Sequence, residues 1–286
     1  DKYVFQEGQQ LSRKTVNAWL TRYNKDSNKL GLNPEDNGQT DADKRNPIYL
    51  EQIIEGDFLM TDNNNGYQLA GISLGLAMNS VDYYTKETDG PQFKTEISRE
   101  KQLAQGKEMA NQIVKRLRAQ KEYQDIPITI GIFSKTAADS LVGGSYLAYG
   151  TSAAKTTEIK DYTTVNEKSQ VLPTVGDATP ISSKDAEAFA NFKEEIESYF
   201  PQISGVIGKV KYQDDKLARF DITVNTQFFG YEQINSFSKL TLSAAKKFLP
   251  SNVPVEIIIQ SVNDSQAVIF KNDADSEYQL HVMNKD

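Results

Sequence analysis

The chain has 286 residues, which is enough for one or two domains that each bury a hydrophobic core. Hydrophobic residues make up 38% of the chain, well above the apolar content of disordered proteins, and a net charge of −7 disfavours non-specific binding to nucleic acid or anionic lipid. The absence of cysteine excludes disulfides, cysteine catalysis and thiolate metal ligands.

The first segment, residues 1–45, is predicted to contain one short helix followed by a polar loop. Apolar side chains recur at helical spacing between Ser12 and Tyr23. Trp19 is one of them, and we expect it to be a packing anchor. The polar stretch that follows contains Asn33-Pro34, a dipeptide typical of turns.

Residues 46–150 are predicted to form a first α+β domain. A proline loses no needed hydrogen bond in the first turn of a helix, so the proline that opens 47–53 is expected to start a short helix. A hairpin should turn at Asn65-Gly66, with alternating apolar residues in its second strand. Ser98 is expected to cap a long amphipathic helix, and two strands should follow Pro127.

Residues 151–182 are predicted to be a connector between domains. The stretch is rich in Thr, Ser and Lys and is interrupted by Pro173 and Pro180, although a strand could form between Val165 and Leu172. Long connectors without secondary structure are uncommon inside one compact domain, so this composition indicates a domain boundary.

Residues 183–286 are predicted to form a second α+β domain with the same order of elements: helix, hairpin, helix and two strands. The junction around Pro127 resembles the one around Pro254, and Leu74 aligns with Phe220 in the preceding strand. The fold class is therefore α+β, with mainly antiparallel sheets in two similar units. Either one unit was duplicated, or two unrelated segments share a common order of elements.

The sequence contains few of the residue patterns that known enzymes and metal sites require. His281 is the only histidine, and we expect it to lie exposed or in a structural role on a terminal strand. The acidic stretches 62–65 and 273–277 lack the glycine and glutamate offsets of a calcium loop and are interpreted as polar turns. No enzyme activity, metal or cofactor is expected.

One candidate ligand site rests on aromatic residues that follow corresponding strands of the two predicted units. Aromatic side chains at strand ends can line a sugar or peptide groove, although core packing is the alternative. The candidate residues are Tyr83, Tyr84, Phe228, Phe229 and Tyr231.

Several stretches resemble the CamS family of sex-pheromone lipoproteins of Gram-positive bacteria. They are 2–9 (KYVFQEGQ), Trp19-Leu20, 31–34 (GLNP), 48–50 (IYL) and 55–58 (EGDF). In that family a lipoprotein signal peptide precedes the folded part, a cysteine at the cleavage point carries lipid, and the pheromone is cut from the signal peptide. Neither that cysteine nor a signal peptide lies in this sequence, which begins without methionine.

The resemblance implies an extracytoplasmic body without enzyme activity, attached to the cell membrane through an N-terminal lipid. Two alternatives remain from the residues: a module that binds a cell-wall glycan or peptide, and a hydrolase that uses two carboxylates, since glycoside hydrolysis needs no histidine. No nucleic-acid partner is expected for an acidic chain without a basic cluster.

Overall fold

The computed structural model describes residues 3–61, 66–175, 178–199, 205–228, 230–262, 264–272 and 276–283. The chain divides into two compact units, Asp1–Asn166 and Glu167–Asp286. Within the described ranges, no helix is long and apolar enough to cross a membrane.

The first unit contains a six-stranded sheet in the order β1-β2-β3-β6-β7-β8 and a separate two-stranded hairpin, β4-β5. Its elements are β1 (Tyr3–Glu7), α1 (Arg13–Leu20), β2 (Leu50–Thr61), β3 (Tyr67–Asn79), β4 (Val81–Thr85), β5 (Gln92–Glu96), α2 (Arg99–Arg118), β6 (Ile128–Lys135), β7 (Ser145–Ser152) and β8 (Tyr162–Thr164).

The second unit contains a six-stranded sheet in the order β9-β10-β11-β12-β13-β14. Its elements are β9 (Glu167–Leu172), α3 (Ser183–Tyr199), β10 (Gly205–Gln213), β11 (Lys216–Thr226), α4 (Tyr231–Phe248), β12 (Val255–Ser261), β13 (Asp264–Lys271) and β14 (Gln279–Val282).

The two units share one topology. Each runs strand, helix, hairpin, helix and three strands. Among the described residues, the β4-β5 hairpin and a short 3-10 helix (Lys121–Tyr123) of the first unit have no counterpart in the second. Each sheet has one parallel pair, β3 with β6 and β11 with β12, and both pairs begin at a proline. The backbone N–H of Ile72 donates to the Pro127 carbonyl, and that of Phe220 donates to the Pro254 carbonyl, both at 3.1 Å.

These shared hydrogen bonds correct the alignment of the two halves. The sequence aligned Leu74 with Phe220, whereas the structure makes Ile72 the counterpart of Phe220, a difference of two residues. A shift of two leaves every side chain on the same face of a strand, so the apolar alternation could not detect the error. The predicted order of elements also omits β1 and β8, whereas β9 and β14 coincide with stretches expected to be strands, Val165–Leu172 and the strand that carries His281.

In each unit the helices pack on one face of the sheet. The helix α2 begins where predicted, because the Ser98 hydroxyl accepts a hydrogen bond from the Lys101 N–H at 3.3 Å. Its buried stripe, which includes Met109, Ile113 and Leu117, packs against alternate residues of β3 and β6. In the second unit, α3 and α4 bury the equivalent stripe against β10, β11 and β12.

The predicted helix over 47–53 is wrong, because that stretch leads into the strand β2. The cause is Asn33, which is fully buried. Its side-chain oxygen accepts hydrogen bonds from the N–H groups of Tyr49 and Leu50, both at 2.9 Å, and its amide donates to the Leu20 and Leu50 carbonyls. These partners hold the chain extended, and a local preference for helix cannot compete with buried hydrogen bonds.

The segments predicted as loop and connector contain three strands. In residues 1–45, β1 pairs with β2 along the edge of the first sheet. In residues 151–182, β8 pairs with β7 and β9 pairs with β10, so the stretch contributes a strand to each sheet. β1 pairs with a strand far away in the chain, which local composition does not reveal. β9, by contrast, lies within Val165–Leu172, where the sequence allows a strand.

Arg118, at the end of α2, holds two loops of the first unit together. Its buried guanidinium donates to the carbonyls of Tyr123, Ile126, Ser152, Ala153 and Thr156. Burial lowers the pKa of Arg118, but an arginine stays charged at any ordinary pH. The loop carbonyls thus take the place of water around a buried cation.

We expect Arg118→Met to lower the free energy of unfolding by about 3 kcal/mol, because it leaves several buried carbonyls without a donor. Urea denaturation measures the loss. The matched control is Lys115→Met, three residues earlier on the exposed side of α2, which should change stability little. Equal losses in the two variants would contradict this role.

Candidate functional site

The predicted aromatic residues of the first unit lie on the β4-β5 hairpin. The Tyr83 hydroxyl accepts a hydrogen bond from the Ala138 N–H at 3.2 Å. The Tyr84 hydroxyl donates to the Thr40 carbonyl at 2.9 Å, and the Arg45 guanidinium lies 3.9 Å from the centre of the Tyr84 ring. The Tyr84 ring is therefore a support for Arg45, a cation–π contact, rather than an open platform for a ligand.

The predicted aromatic residues of the second unit are placed differently from one another. The Phe228 ring packs edge-to-face against Phe237, 5.7 Å away, and belongs to the margin of the core. Tyr231 is exposed at the first turn of α4. Phe229 lies outside the described residues. Tyr83 and Tyr84 thus belong to the first unit, and Phe228 and Tyr231 to the second.

The hairpin β4-β5 borders a polar cleft of about 420 Å³. The cleft lies between the hairpin, the loop before β2 and the first turn of α2. Its charged lining residues are Asp43, Arg45, Lys94, Glu96 and Lys101. This cleft adjoins a hairpin that has no counterpart in the described part of the second unit, which makes it a candidate for a site of specific function.

The floor of the cleft depends on a buried ion pair between Arg45 and Asp82. Both side chains are 8% exposed, and their nearest atoms lie 2.6 Å apart. The same carboxylate oxygen accepts the Ile48 N–H at 2.8 Å, and Arg45 also donates to the Thr95 hydroxyl at 3.2 Å. The pair therefore joins the loop before β2 to both strands of the hairpin.

The rim of the cleft is already paired internally. The Lys94 ammonium lies 3.1 Å from a Glu96 carboxylate oxygen, and this contact raises the pKa of Lys94. The Lys101 ammonium lies 5.8 Å from the Tyr49 ring centre. With Arg45 bound to Asp82, such a cleft can accept a small polar solute but offers no assembled nucleophile and base.

A second charged cluster holds the N-terminal segment to the first sheet. Glu55 and Asp57 face the same side of β2, and the chain after β1 crosses over them. The Glu55 carboxylate accepts the N–H groups of Gln10 and Leu11, while Asp57 accepts the N–H of Gln9 at 3.0 Å. Burial, followed by the charge of Asp57, raises the pKa of Glu55, although the two backbone donors oppose the shift.

Asp57 is fully buried, and its second oxygen, Oδ1, has no hydrogen-bond partner. The sequence contained a signal that could have identified the cluster. Ile53, Glu55 and Asp57 alternate along one strand, so two carboxylates replace apolar residues on its inward face. The helix predicted over 47–53 ends before Glu55, so the sequence analysis does not place Glu55 and Asp57 on a common strand face.

The other sites considered from the sequence lie apart from these clusters. His281 is exposed on the edge strand β14, opposite Val268. The stretch 62–65 and residues 273–275 of the second acidic stretch lie outside the described residues. Among the residues that the structure does describe, no group of three or more His, Cys, Asp or Glu side chains could hold a metal ion.

Comparison with known proteins identifies one family that matches nearly the whole chain. A family model described as the CamS sex pheromone cAM373 precursor matches residues 1–277. Among curated proteins, none matches the chain.

Two solved structures are similar over nearly the full length. The sex pheromone precursor of Lactobacillus salivarius subsp. salivarius UCC118 has 40% identity and a TM-score of 0.92, and the match covers 99% of this chain and 82% of that one. The C-terminal domain of the sex pheromone staph-cAM373 precursor of Staphylococcus aureus has 30% identity and a TM-score of 0.83, with 99% and 91% covered.

We expect Asp82→Asn to lower the free energy of unfolding by about 3 kcal/mol, because it leaves the Arg45 cation buried without a counter-charge. Urea denaturation gives the value. Asp41→Asn, which removes an exposed carboxylate paired with Lys44, is the control and should cost less than about 1 kcal/mol. A loss as small for Asp82 would mean that the pair does not anchor the hairpin.

The raised pKa of Glu55 predicts a pH dependence of stability. The folded state binds a proton at Glu55 more tightly than the unfolded state does, so this stabilisation is complete below pH 4.5 and is lost as pH rises through the folded pKa. Glu55→Gln removes the titration. Relative to the wild type, the variant should therefore be more stable at pH 7 than at pH 4.5, measured by urea denaturation at both values.

The control for this titration is Glu187→Gln, at an exposed position of α3. This variant also removes one carboxylate, but outside the cluster, so it measures the effect of losing a negative charge as such. A difference from the wild type that is the same at both pH values for Glu55→Gln would show that Glu55 titrates alike in the folded and unfolded chains.

Proposed function

Because the chain belongs to the family of CamS sex-pheromone precursors, we propose that it is the non-enzymatic, extracytoplasmic body of a lipid-anchored pheromone precursor. The observation that carries the proposal is the match of the family model to residues 1–277, together with similarity to two solved sex pheromone precursor structures. In this proposal the pheromone and the lipidated cysteine come from a segment that precedes Asp1.

The attachment of the N-terminal segment supports an anchor at that end. The strand β1 forms an antiparallel pair with β2 from Tyr3 to Glu7, and Glu55 and Asp57 then hold the backbone of residues 9–11. A lipid upstream of β1 would therefore be joined to the first sheet through an ordered strand.

The buried carboxylates make structural contacts within the fold, which supports a role without catalysis. Asp82 binds Arg45, Asp185 accepts the Tyr212 hydroxyl at 3.0 Å, and Asp57 accepts backbone and side-chain donors from Gln9 and Gln10. Each of them is committed to holding segments of the fold together. A hydrolase with two carboxylates needs both groups free to face a substrate.

The apolar runs of the chain are built into the cores. Ile257 and Ile259 on β12 are fully buried, between β11 on one side and β13 on the other. Release of an apolar peptide from this stretch would require unfolding of the second sheet. The pheromone activity is therefore assigned to the upstream segment and not to the body.

We expect purified residues 1–286 to induce no mating response in responsive cells, because the body holds no releasable signal peptide. The assay applies the intact body, and the body after digestion by cell-surface proteases, and counts conjugation events. A synthetic family pheromone is the positive control. A response to the digested body would place a signalling peptide inside this chain and overturn the proposal.

A further inference from the structure

The first sheet has a second face that its helices do not cover. On β2, the side chains of Ile54 and Phe58 point away from the core that Ile53 enters. The register carries this face across the sheet, from Phe5 on β1 to Tyr149 on β7. We refer to it as the open face, defined by Phe5, Ile54, Gly56, Phe58, Gly71, Ser73, Gly75, Thr129, Gly131, Phe133, Tyr146, Tyr149 and Thr151.

The centre of the open face is a floor of very small side chains. Gly71, Ser73 and Gly75 alternate along β3, and Thr129 and Gly131 lie beside Ser73 and Gly75 on β6. Glycine inside a strand costs about 0.5–1 kcal/mol relative to alanine, and it often marks a place where a ligand comes close to the backbone. Three glycines on two central strands therefore lower the stability of the sheet, and their presence points to a role other than folding.

Aromatic rings stand on both sides of this floor. Phe5 and Phe58 lie 5.0 Å apart between ring centres on one side, and Phe133 and Tyr146 lie 5.2 Å apart on the other. Tyr149 stands opposite Gly131 and is 46% exposed. Since β2 and β7 are three strand spacings apart, the floor and its margins span about 14 Å.

The Tyr146 ring lies over one of the glycines. A Cβ atom added at Gly131 would come within 2.9 Å of a Tyr146 ring carbon, so glycine is what allows this ring to lie along the sheet. At Gly75, by contrast, an added Cβ would have its nearest neighbours at 3.9–4.0 Å. A side chain therefore fits at Gly75 without a clash, in ordinary contact with Ile54 and the Tyr146 hydroxyl.

The second unit shows that the topology does not demand this floor. With Ile72 matched to Phe220, the counterparts of Gly71, Ser73 and Gly75 are Arg219, Asp221 and Thr223. Arg219 there forms ion pairs with Asp221 at 2.6 Å and with Glu256, the counterpart of Thr129, at 3.2 Å. The same position in the same topology accepts large charged side chains, so the glycine floor serves a surface function of the first unit.

The chemistry of the open face selects its ligand. The floor of the open face carries no formal charge, and the charged residues on this side of the sheet lie at its margins: Glu7 on the edge strand β1, and Lys135, at the end of β6, paired with Glu51. An uncharged centre matches an uncharged partner and disfavours an ionic one.

The Ser73 hydroxyl on this face donates to the Gly56 carbonyl at 3.0 Å, and the Thr129 and Thr151 hydroxyls bond each other at 2.9 Å. A hydroxyl has two acceptor lone pairs, so each of the three keeps the capacity to accept a further hydrogen bond. The backbone of the floor is already paired with strands on both sides, so a peptide strand cannot add to it as it would at a sheet edge.

We propose that the open face of the first sheet binds an uncharged glycan chain. Sugar rings present apolar C–H faces, which pack on aromatic rings, and hydroxyl rims, which hydrogen-bond to side-chain hydroxyls. In the bound state, sugar rings lie on Tyr146 and Tyr149 and extend across the floor at Gly75. This inference rests on the proposed extracytoplasmic location only for the identity of the glycan that the protein would meet. Binding itself depends on the open face.

The experiment measures binding of cellohexaose, chitohexaose and mannohexaose to the purified full chain by isothermal titration calorimetry. We expect at least one to bind. Gly75→Val should weaken that binding at least 10-fold, because its side chain fills the open floor, while the melting temperature stays the same or rises, since valine suits a strand. Tyr146→Ala and Tyr149→Ala should each weaken binding about 10-fold.

The matched control is Thr223→Val, which introduces valine at the equivalent position of the second sheet. This variant should bind the oligosaccharide as well as the wild type does. The inference is overturned if none of the three oligosaccharides binds at millimolar concentration, or if Gly75→Val binds as well as the wild type. It is also overturned if Gly75→Val only abolishes self-association in sedimentation, which would make the open face a contact between copies. Each of these outcomes leaves the assignment of signalling to the upstream segment untouched.

Discussion

The single parallel strand pair in each sheet governs the rest of each unit. Parallel neighbours cannot be joined by a tight turn, so the chain must leave the end of β3 or β11 and cross back over the sheet as a helix. That crossover helix, α2 or α4, covers one face of the sheet and supplies much of its core. The prolines before β6 and β12 accept the first hydrogen bond of each pair and so set its register.

Because the crossover fixes one face, the two units are free to differ on the other. The first sheet exposes glycines and aromatic rings, whereas the second exposes ion pairs around Arg219. The β4-β5 hairpin is a further addition to the first unit, inserted between β3 and α2 and held by Arg45 and Asp82. The exposed face and the hairpin thus lie outside the shared core and do not disturb its packing.

Buried polar groups, and not apolar contacts alone, determine the course of the long loops. Asn33 holds the chain that enters β2, Arg118 gathers the loops after α2 and β7, and Glu55 and Asp57 hold residues 9–11. Each donates to or accepts from backbone groups that would otherwise be buried without a partner. These side chains therefore specify where irregular segments lie, a role for which hydrophobic residues have no directional chemistry.

Local pattern was sufficient to predict most of the regular elements. Ser98, the stripe on α2, the alternation in β3 and the turn between β10 and β11 each have a physical cause within a few neighbouring residues. The family resemblance also came from the sequence, because it rests on residue identity, and the match over residues 1–277 confirms it. The shared order of elements supports the hypothesis of a duplicated unit.

Tertiary structure alone decided the edge strands β1 and β8, the extended entry to β2 and the open face. β1 and β8 form because they find partners in the first sheet, and residues 47–53 stay extended because Asn33 binds their backbone. The candidate aromatic residues were chosen by their place after strands, yet Tyr146 and Tyr149 share a face with Gly131 only through register. Register joins residues that are distant in the chain, and its free energy depends on both partners at once.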